Sequence, residues 1–217
     1  MSVLYLFDID GTLLHAHRSG RDAFDAVFAE LHGIADASEG IRYGGKTDPA
    51  IIEEIFVARL GRRPTAAESA AFLDAYLPRL HAQLATHGVE VLAGVVETLE
   101  HLAARGDCVL AVATGNIRAG ADAKLAAGKL QQWFPFGGYG CDSHLRAELV
   151  ARAIARGRER HAVSEVIVVG DTIHDIAAAR ACGARVYAVA TGADPADSLR
   201  EADAVFASMA ELPRFGR

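Results

Sequence analysis

Four acidic side chains fall into two short clusters, each behind an apolar run. Asp8-Ile9-Asp10-Gly11-Thr12 follows the run at residues 3–7, and Gly170-Asp171-Thr172-Ile173-His174-Asp175 follows the run at 166–169. A third polar string, Thr114-Gly115-Asn116, follows residues 108–113, and Asp142, His144 and Arg146 follow a weaker run at 136–139. If these runs are strands of one open sheet, their polar sequels share a rim, because ligands of such sheets bind beyond the carboxyl ends of the strands. Asp8, Asp10, Asp171 and Asp175 on one rim would repel one another and raise each other's pKa. A hard divalent ion with oxygen ligands removes the conflict, and Mg²⁺ is the usual one where phosphate completes the shell. Thr114 offers a hydroxyl, and the amides around Gly115 open a helix, which is a ready anion site. Carboxylates, a metal and an anion pocket together point to phosphoryl chemistry. Any one of these aspartates alone reads as a turn or helix-cap residue. Two strand ends with paired aspartates and a third with Thr114-Gly115-Asn116 carry the argument jointly.

The elements that must position these groups are legible as an alternation. Residues 3–7, 108–113, 166–169 and 185–190 show no in–out periodicity, the pattern of strands buried on both faces of a parallel sheet. Residues 204–206 extend the set, and the glycine-rich run at 136–139 suits a short edge strand. Helical stripes lie between them: Val95, Val96, Leu99 and Leu102; Ile117, Ala121 and Leu125; Leu149, Ala153 and Ile154; and Ile173, Ile176 and Ala177, ending near Gly183. Strand–helix alternation with right-handed crossovers predicts a three-layer, Rossmann-like α/β core. Residues 15–89 interrupt it without a convincing strand. Phe24, Val27, Phe28 and Leu31, then Ile52, Ile55 and Phe56, then Phe72, Tyr76, Leu80 and Leu84 repeat at helical spacing, with Pro78 inside the last set. The organisation expected is a core of residues 1–14 and 90–217 with an all-helical insertion at 15–89.

Composition narrows the classes. Hydrophobic residues are 51% and charged residues 23% of the 217, enough for a sizeable core and against disorder. With 22 basic and 28 acidic side chains the net charge is −6, a poor fit to nucleic acid or an anionic membrane. Cys108, Cys141 and Cys182 form no CxxC pair, so neither a disulfide scaffold nor a zinc ribbon is expected. The apolar start is too short for a secretion signal, and no run reaches the roughly 18–20 apolar residues of a membrane span. A cytoplasmic protein, monomeric or homodimeric, is expected.

These residues resemble the haloacid dehalogenase-like hydrolase superfamily, in particular its phosphoglycolate phosphatase-like group with a helical cap. Asp8 to Leu13 is similar to the first family motif (DxDGTL), Thr114 to the second, and Gly170 to Asp175 to the fourth (GDTxxD). The order and spacing cover nearly the whole chain. The resemblance implies Asp8 as the nucleophile that forms an aspartyl-phosphate. It implies Asp10 as the acid for the leaving oxygen and then the base for water, which requires surroundings that hold it protonated in the first step. It implies Mg²⁺ held by the Asp8 carboxylate, the Asp10 carbonyl and Asp171, with Asp175 in or behind the shell, and Thr114 on the phosphoryl oxygens. Gly11, Gly115 and Asn116 would complete the phosphate cradle, and the substrate would be a small phosphorylated metabolite.

The third family motif is usually a lysine. Lys124 and Lys129 precede the weak third strand, at the wrong end of the sheet, so Arg146 takes the position, with His144 and Arg152 as fallbacks. An arginine would meet phosphate as a planar fork. Asp10 argues against the family's dehalogenases and phosphonatases, which lack a second Asp in the first motif. Sugar-phosphate mutases keep it and stay open, although Gly44-Gly45-Lys46-Thr47-Asp48 does not match their Gly-x-Ser-Arg type loop. Residues 40–47 also satisfy GxxxxGK[ST], but residues 31–39 carry no strand signal before it, which argues against a P-loop NTPase. Lys46 is expected over the substrate or out in solvent. A phospho-acceptor receiver domain, the remaining alternative, would be shorter and would lack the insertion.

Overall fold

The computed structural model describes residues 1–214. Strand β1 (Ser2–Phe7) sits in a six-stranded sheet with β4 (Cys108–Ala113), β5 (Gly137–Gly138), β6 (Val163–Gly170), β7 (Arg185–Val189) and β8 (Ala204–Phe206), in the order β5-β4-β1-β6-β7-β8. All neighbouring pairs are parallel. The glycine-rich run is the edge strand, and the sheet is the parallel one expected.

Side-chain alternation along β1 explains why its residues read as a continuous apolar run. Leu4 and Leu6 point into one core, with Leu149 and Ala153 of α6 (Arg146–Arg160) and Ile176 and Ala179 of α7 (Ile173–Ala181). Tyr5 and Phe7 point into the other, with Val95 and Leu99 of α4 (Val95–Ala104) and Ala121 and Leu125 of α5 (Arg118–Ala127). Helices thus cover both faces, and each strand residue is buried whichever way it points. The register pairs Phe7 with Val112 and with Val169. Asp8, Thr114 and Asp171 therefore emerge at adjacent carboxyl ends.

The second core continues into the segment after β1. Helices α1 (Ser19–His32), α2 (Asp48–Leu60) and α3 (Ala66–His87) meet through an aromatic cluster, with Phe24 to Phe72 and Phe28 to Phe56 centroids each 5.1 Å apart. Pro78 lies inside α3. Three details differ from the sequence expectation. Leu14–His15 forms a short strand, β2, antiparallel to β3 (Glu90–Val91), so the chain enters and leaves the helical segment side by side. Pairs this short carry too little pattern to be read. In α7, Ile173 and Ala177 are exposed while Asp175, Ile176, Ala178 and Ala179 are buried. Thr172 and Asp175 form a reciprocal cap that fixes where this helix begins and so which face turns inward. Leu31 at the end of α1 is likewise exposed.

Candidate active site

Each acidic group is held by the turn that follows its strand. The Asp8 amide donates to the Val169 carbonyl at 2.9 Å, which keeps β1 and β6 in step to their ends. Gly11 then turns with φ +82°, and a Cβ there would come within 2.6 Å of Asp171 Oδ2. Only glycine permits both the turn and the close approach. Asp171 accepts from Thr12 Oγ1 at 3.0 Å on one oxygen and from the Ala193 amide at 2.7 Å on the other. Asp175 Oδ2 accepts from the Thr172 amide at 3.1 Å and its hydroxyl at 2.6 Å.

Asp8, Asp171 and Asp175 are all buried, and their carboxylate oxygens lie within 4.8 Å of one another. Arg146, the first residue of α6, reaches into this cluster with its side chain only 8% exposed. Its Nη2 lies 2.7 Å from Asp8 Oδ2 and 2.6 Å from Asp175 Oδ1, Nε donates to Asp175 Oδ1 at 2.9 Å, and Nη1 donates to the Gly45 carbonyl at 3.3 Å. Burial pushes Asp8 up to about 6 against the pull of Arg146. Burial and the charges of Asp175 and Asp8 push Asp171 up to about 8. One guanidinium among three carboxylates leaves excess negative charge. An all-oxygen, buried and mutually repelling donor set fits a hard divalent cation. Both oxygens of Asp175 are engaged by Thr172 and Arg146, so it orients the arginine.

The second strand end supplies neutral donors. Thr114 is fully buried, and its Oγ1 accepts from Asn116 Nδ2 at 2.8 Å. Lys124 corrects the sequence expectation. It was placed at the far end of the sheet because it precedes β5, yet its Nζ donates to Asp10 Oδ2 at 2.6 Å and to Asn116 Oδ1 at 2.7 Å. Helix α5 runs back from the carboxyl rim, helical side chains lean toward the N-terminus, and a lysine two turns in reaches the rim again. Burial disfavours the Asp10 charge, but the Lys124 ammonium and the Asn116 amide outweigh it and hold the carboxyl below its ordinary range. These neighbours favour the carboxylate in the free protein, whereas the proton expected on Asp10 belongs to the first step, with substrate bound.

A cavity of about 370 Å³ opens above these groups. Its floor includes Asp8, Asp10, Gly11, Thr114, Gly115 and Asn116, and its far wall comes from the helical segment through Phe24, Tyr43 and Tyr76. Lys46 also lines it, with Nζ donating to Glu54 of α2. The loop before α2 touches the core closely: the Asp48 amide donates to the Gly115 carbonyl at 2.8 Å, and Asp48 Oδ2 accepts from the Ile117 amide at 2.8 Å. No strand precedes residues 40–47, so the P-loop context is missing; Thr47 caps α2 instead. His144 and Arg152 are exposed, and neither lines the cavity. Thr12, Asp48 and Lys124 were not read as site residues. Of these, Lys124 had a signal, since it falls three residues beyond Ala121 on the buried stripe of α5.

Comparison with known proteins agrees with this geometry. A family model described as haloacid dehalogenase-like hydrolase matches residues 5–189. A curated protein of Dickeya dadantii (strain 3937), named "Probable phosphatase IndB", is 30% identical over 216 residues, covering 94% of this chain and 87% of its own length. A crystal structure described as a "Putative haloacid dehalogenase-like hydrolase" from Bacteroides fragilis superposes with a TM-score of 0.73 at 24% identity, covering 98% of this chain and 100% of the other. CbbY from Rhodobacter sphaeroides, solved with phosphate, gives 0.74 at 22% identity, covering 98% and 96%. These two likenesses show the fold.

Proposed function

The chain belongs to the haloacid dehalogenase-like hydrolases, and from that premise we propose that it is a Mg²⁺-dependent phosphatase of a small phosphorylated metabolite, working through an aspartyl-phosphate. The observation that carries this reading is the convergence of Asp8, Asp171, Asp175 and Arg146 from separate elements into one buried cluster beneath a cavity. Asp8, the Asp10 backbone carbonyl and Asp171 would hold the metal, which supplies charge neutralisation for the phosphoryl group. Asp8 Oδ attacks phosphorus in line, the bond to the leaving oxygen breaks, and Asp10 passes that oxygen a proton. A proton on Asp10 in this step requires the negative charge of the phosphate to oppose the pull of Lys124 and Asn116. In the second half Asp10 takes a proton from water, water oxygen bonds to phosphorus, and the Asp8–phosphorus bond breaks. Arg146, the Thr114 hydroxyl and the amides of Gly115 and Asn116 hold the phosphoryl oxygens.

Residues 15–89 act as a cap over the core of residues 1–14 and 90–217, excluding water when closed. A cavity of about 370 Å³ suits a small metabolite. No helix among the described residues is long and apolar enough to cross a membrane. The net negative charge and the free cysteines fit a cytoplasmic protein that binds no nucleic acid. The test is release of inorganic phosphate from p-nitrophenyl phosphate and a panel of phosphorylated metabolites with Mg²⁺. Wild type turns over, while Asp8→Asn loses at least ~10³-fold of the rate. Retained activity in that variant contradicts the nucleophile assignment, and an isomerised ester in place of free phosphate identifies a mutase.

A further inference from the structure

We infer that Lys124 is a positioning residue for the leaving-group proton: with Asn116 it pins one oxygen of Asp10 and leaves the other free to face the leaving group. The inference rests on the phosphatase reading above.

Lys124 is a lysine where α5 otherwise buries small and aliphatic residues, with its side chain 7% exposed. An ammonium taken out of water is costly unless its protons find partners. Here Nζ meets Asp10 Oδ2 at 2.6 Å and Asn116 Oδ1 at 2.7 Å. The Asn116 amide nitrogen donates to the same Asp10 Oδ2 at 2.8 Å and to Thr114 Oγ1 at 2.8 Å. Both bonds to the Asp10 carboxylate therefore fall on Oδ2. Among the described residues Oδ1 accepts none, and the Asp10 side chain is 44% exposed, on the cavity.

The terminal torsion of an aspartate is broad and roughly two-fold. A carboxyl on a turn, without these donors, would sample orientations in which neither oxygen meets the substrate. Proton transfer needs heavy atoms about 2.6–3.2 Å apart, so fixing one oxygen sets where the other stands. The same network carries Thr114, which ties the proton-transfer group to the phosphate-binding turn. The helical segment reaches it too: Asp48, whose carboxylate feels the Lys124 charge, caps the start of α5 at Ile117. The acid and the phosphate cradle are thereby aligned to one another when the loop before α2 sits on the core.

The inference is tested with two esters that differ in leaving group. p-Nitrophenolate departs readily without a proton, whereas phenolate needs one more. Values of kcat/KM for p-nitrophenyl phosphate and phenyl phosphate are compared across wild type, Lys124→Met, Lys124→Arg and Asn116→Ala, all with Mg²⁺. Inhibition by inorganic phosphate and thermal midpoints are measured alongside. In Lys124→Met, phenyl phosphate is expected to lose about 10²-fold and p-nitrophenyl phosphate less than about 5-fold, within the range general acid catalysis supplies. Phosphate inhibition stays within about 2-fold, and Lys124→Arg recovers most of the phenyl phosphate rate, because a cationic donor remains. Asn116→Ala removes the second donor to the same oxygen and also releases Thr114 Oγ1, so both esters slow but phenyl phosphate loses at least about 10-fold more, and the test stands even if the Met variant does not fold. Equal losses on the two esters, or weakened phosphate inhibition in Lys124→Met, overturn the inference. If Asp8→Asn remains active on both esters, the phosphatase reading itself fails and takes this inference with it.

Discussion

Asp8 and Asp171 are carboxyls that the fold makes poor anions, and this sets a pH dependence. Their ordinary value is 3.8; burial, with Asp175 nearby, pushes Asp8 up to about 6 and Asp171 up to about 8. The folded chain therefore binds protons that the unfolded chain has already released. This contribution to stability is fully present below the unfolded value and is lost as pH rises through the folded ones. Metal-free protein in EDTA is expected to lose thermal midpoint steadily from about pH 4 to pH 8. Mg²⁺ raises the midpoint most at the upper end, where the ligands are ionised. Calorimetry with and without Mg²⁺ across that range checks it, and an Mg²⁺ effect largest at pH 5 would contradict the ligand assignment. At this scale the sequence was informative, because Asp8, Asp10, Thr114 and Asp171 each stand directly behind a strand. Arg146 was also legible, as the cation opening the helix after β5. Lys124 was legible only as a lysine on the buried stripe of α5, because its contact with Asp10 depends on a long side chain doubling back along the helix.

Turns do as much as side chains in building the site. Gly11 combines φ +82° with a backbone path that would put a Cβ at 2.6 Å from Asp171 Oδ2. Gly11→Ala must either strain the turn or displace the aspartate that Thr12 and the Ala193 amide hold in place. The expected cost is about 1–3 kcal/mol of stability, together with a weakened response to Mg²⁺, read from denaturant unfolding and from metal titration of the activity. A variant as stable as wild type with an unchanged Mg²⁺ response would show that the turn tolerates a side chain. The strands of the sheet could be read as unbroken apolar or glycine-rich runs between helical patterns, and α2 and α3 by their apolar stripes. The β2–β3 ribbon has two residues a side and no period. The inward face of α7 was misassigned because Thr172 and Asp175, both polar, fix its register ahead of any apolar stripe.

Taken whole, the molecule uses one rim for everything. Parallel register carries β1, β4 and β6 to a common end, α6 sends Arg146 back across it, and the helical segment lays residues 44–48 over the top. The alternation of strands and helices in the sequence makes that rim predictable. What lay beyond prediction was the contact between the inserted segment and the core, since hydrogen bonds such as Asp48 to Gly115 and to Ile117 join residues far apart in sequence with no shared pattern. The claim on which the rest depends is that this assembly delivers a phosphoryl group to Asp8. The most direct measurement is rapid acid quench of wild type turning over a phosphate ester with Mg²⁺, followed by peptide mass spectrometry. A phosphoryl group on the peptide carrying Asp8, absent from Asp8→Asn and formed at least as fast as turnover, is the expected result. Steady turnover with no phosphorylated aspartate, or with the group on another residue, would contradict it.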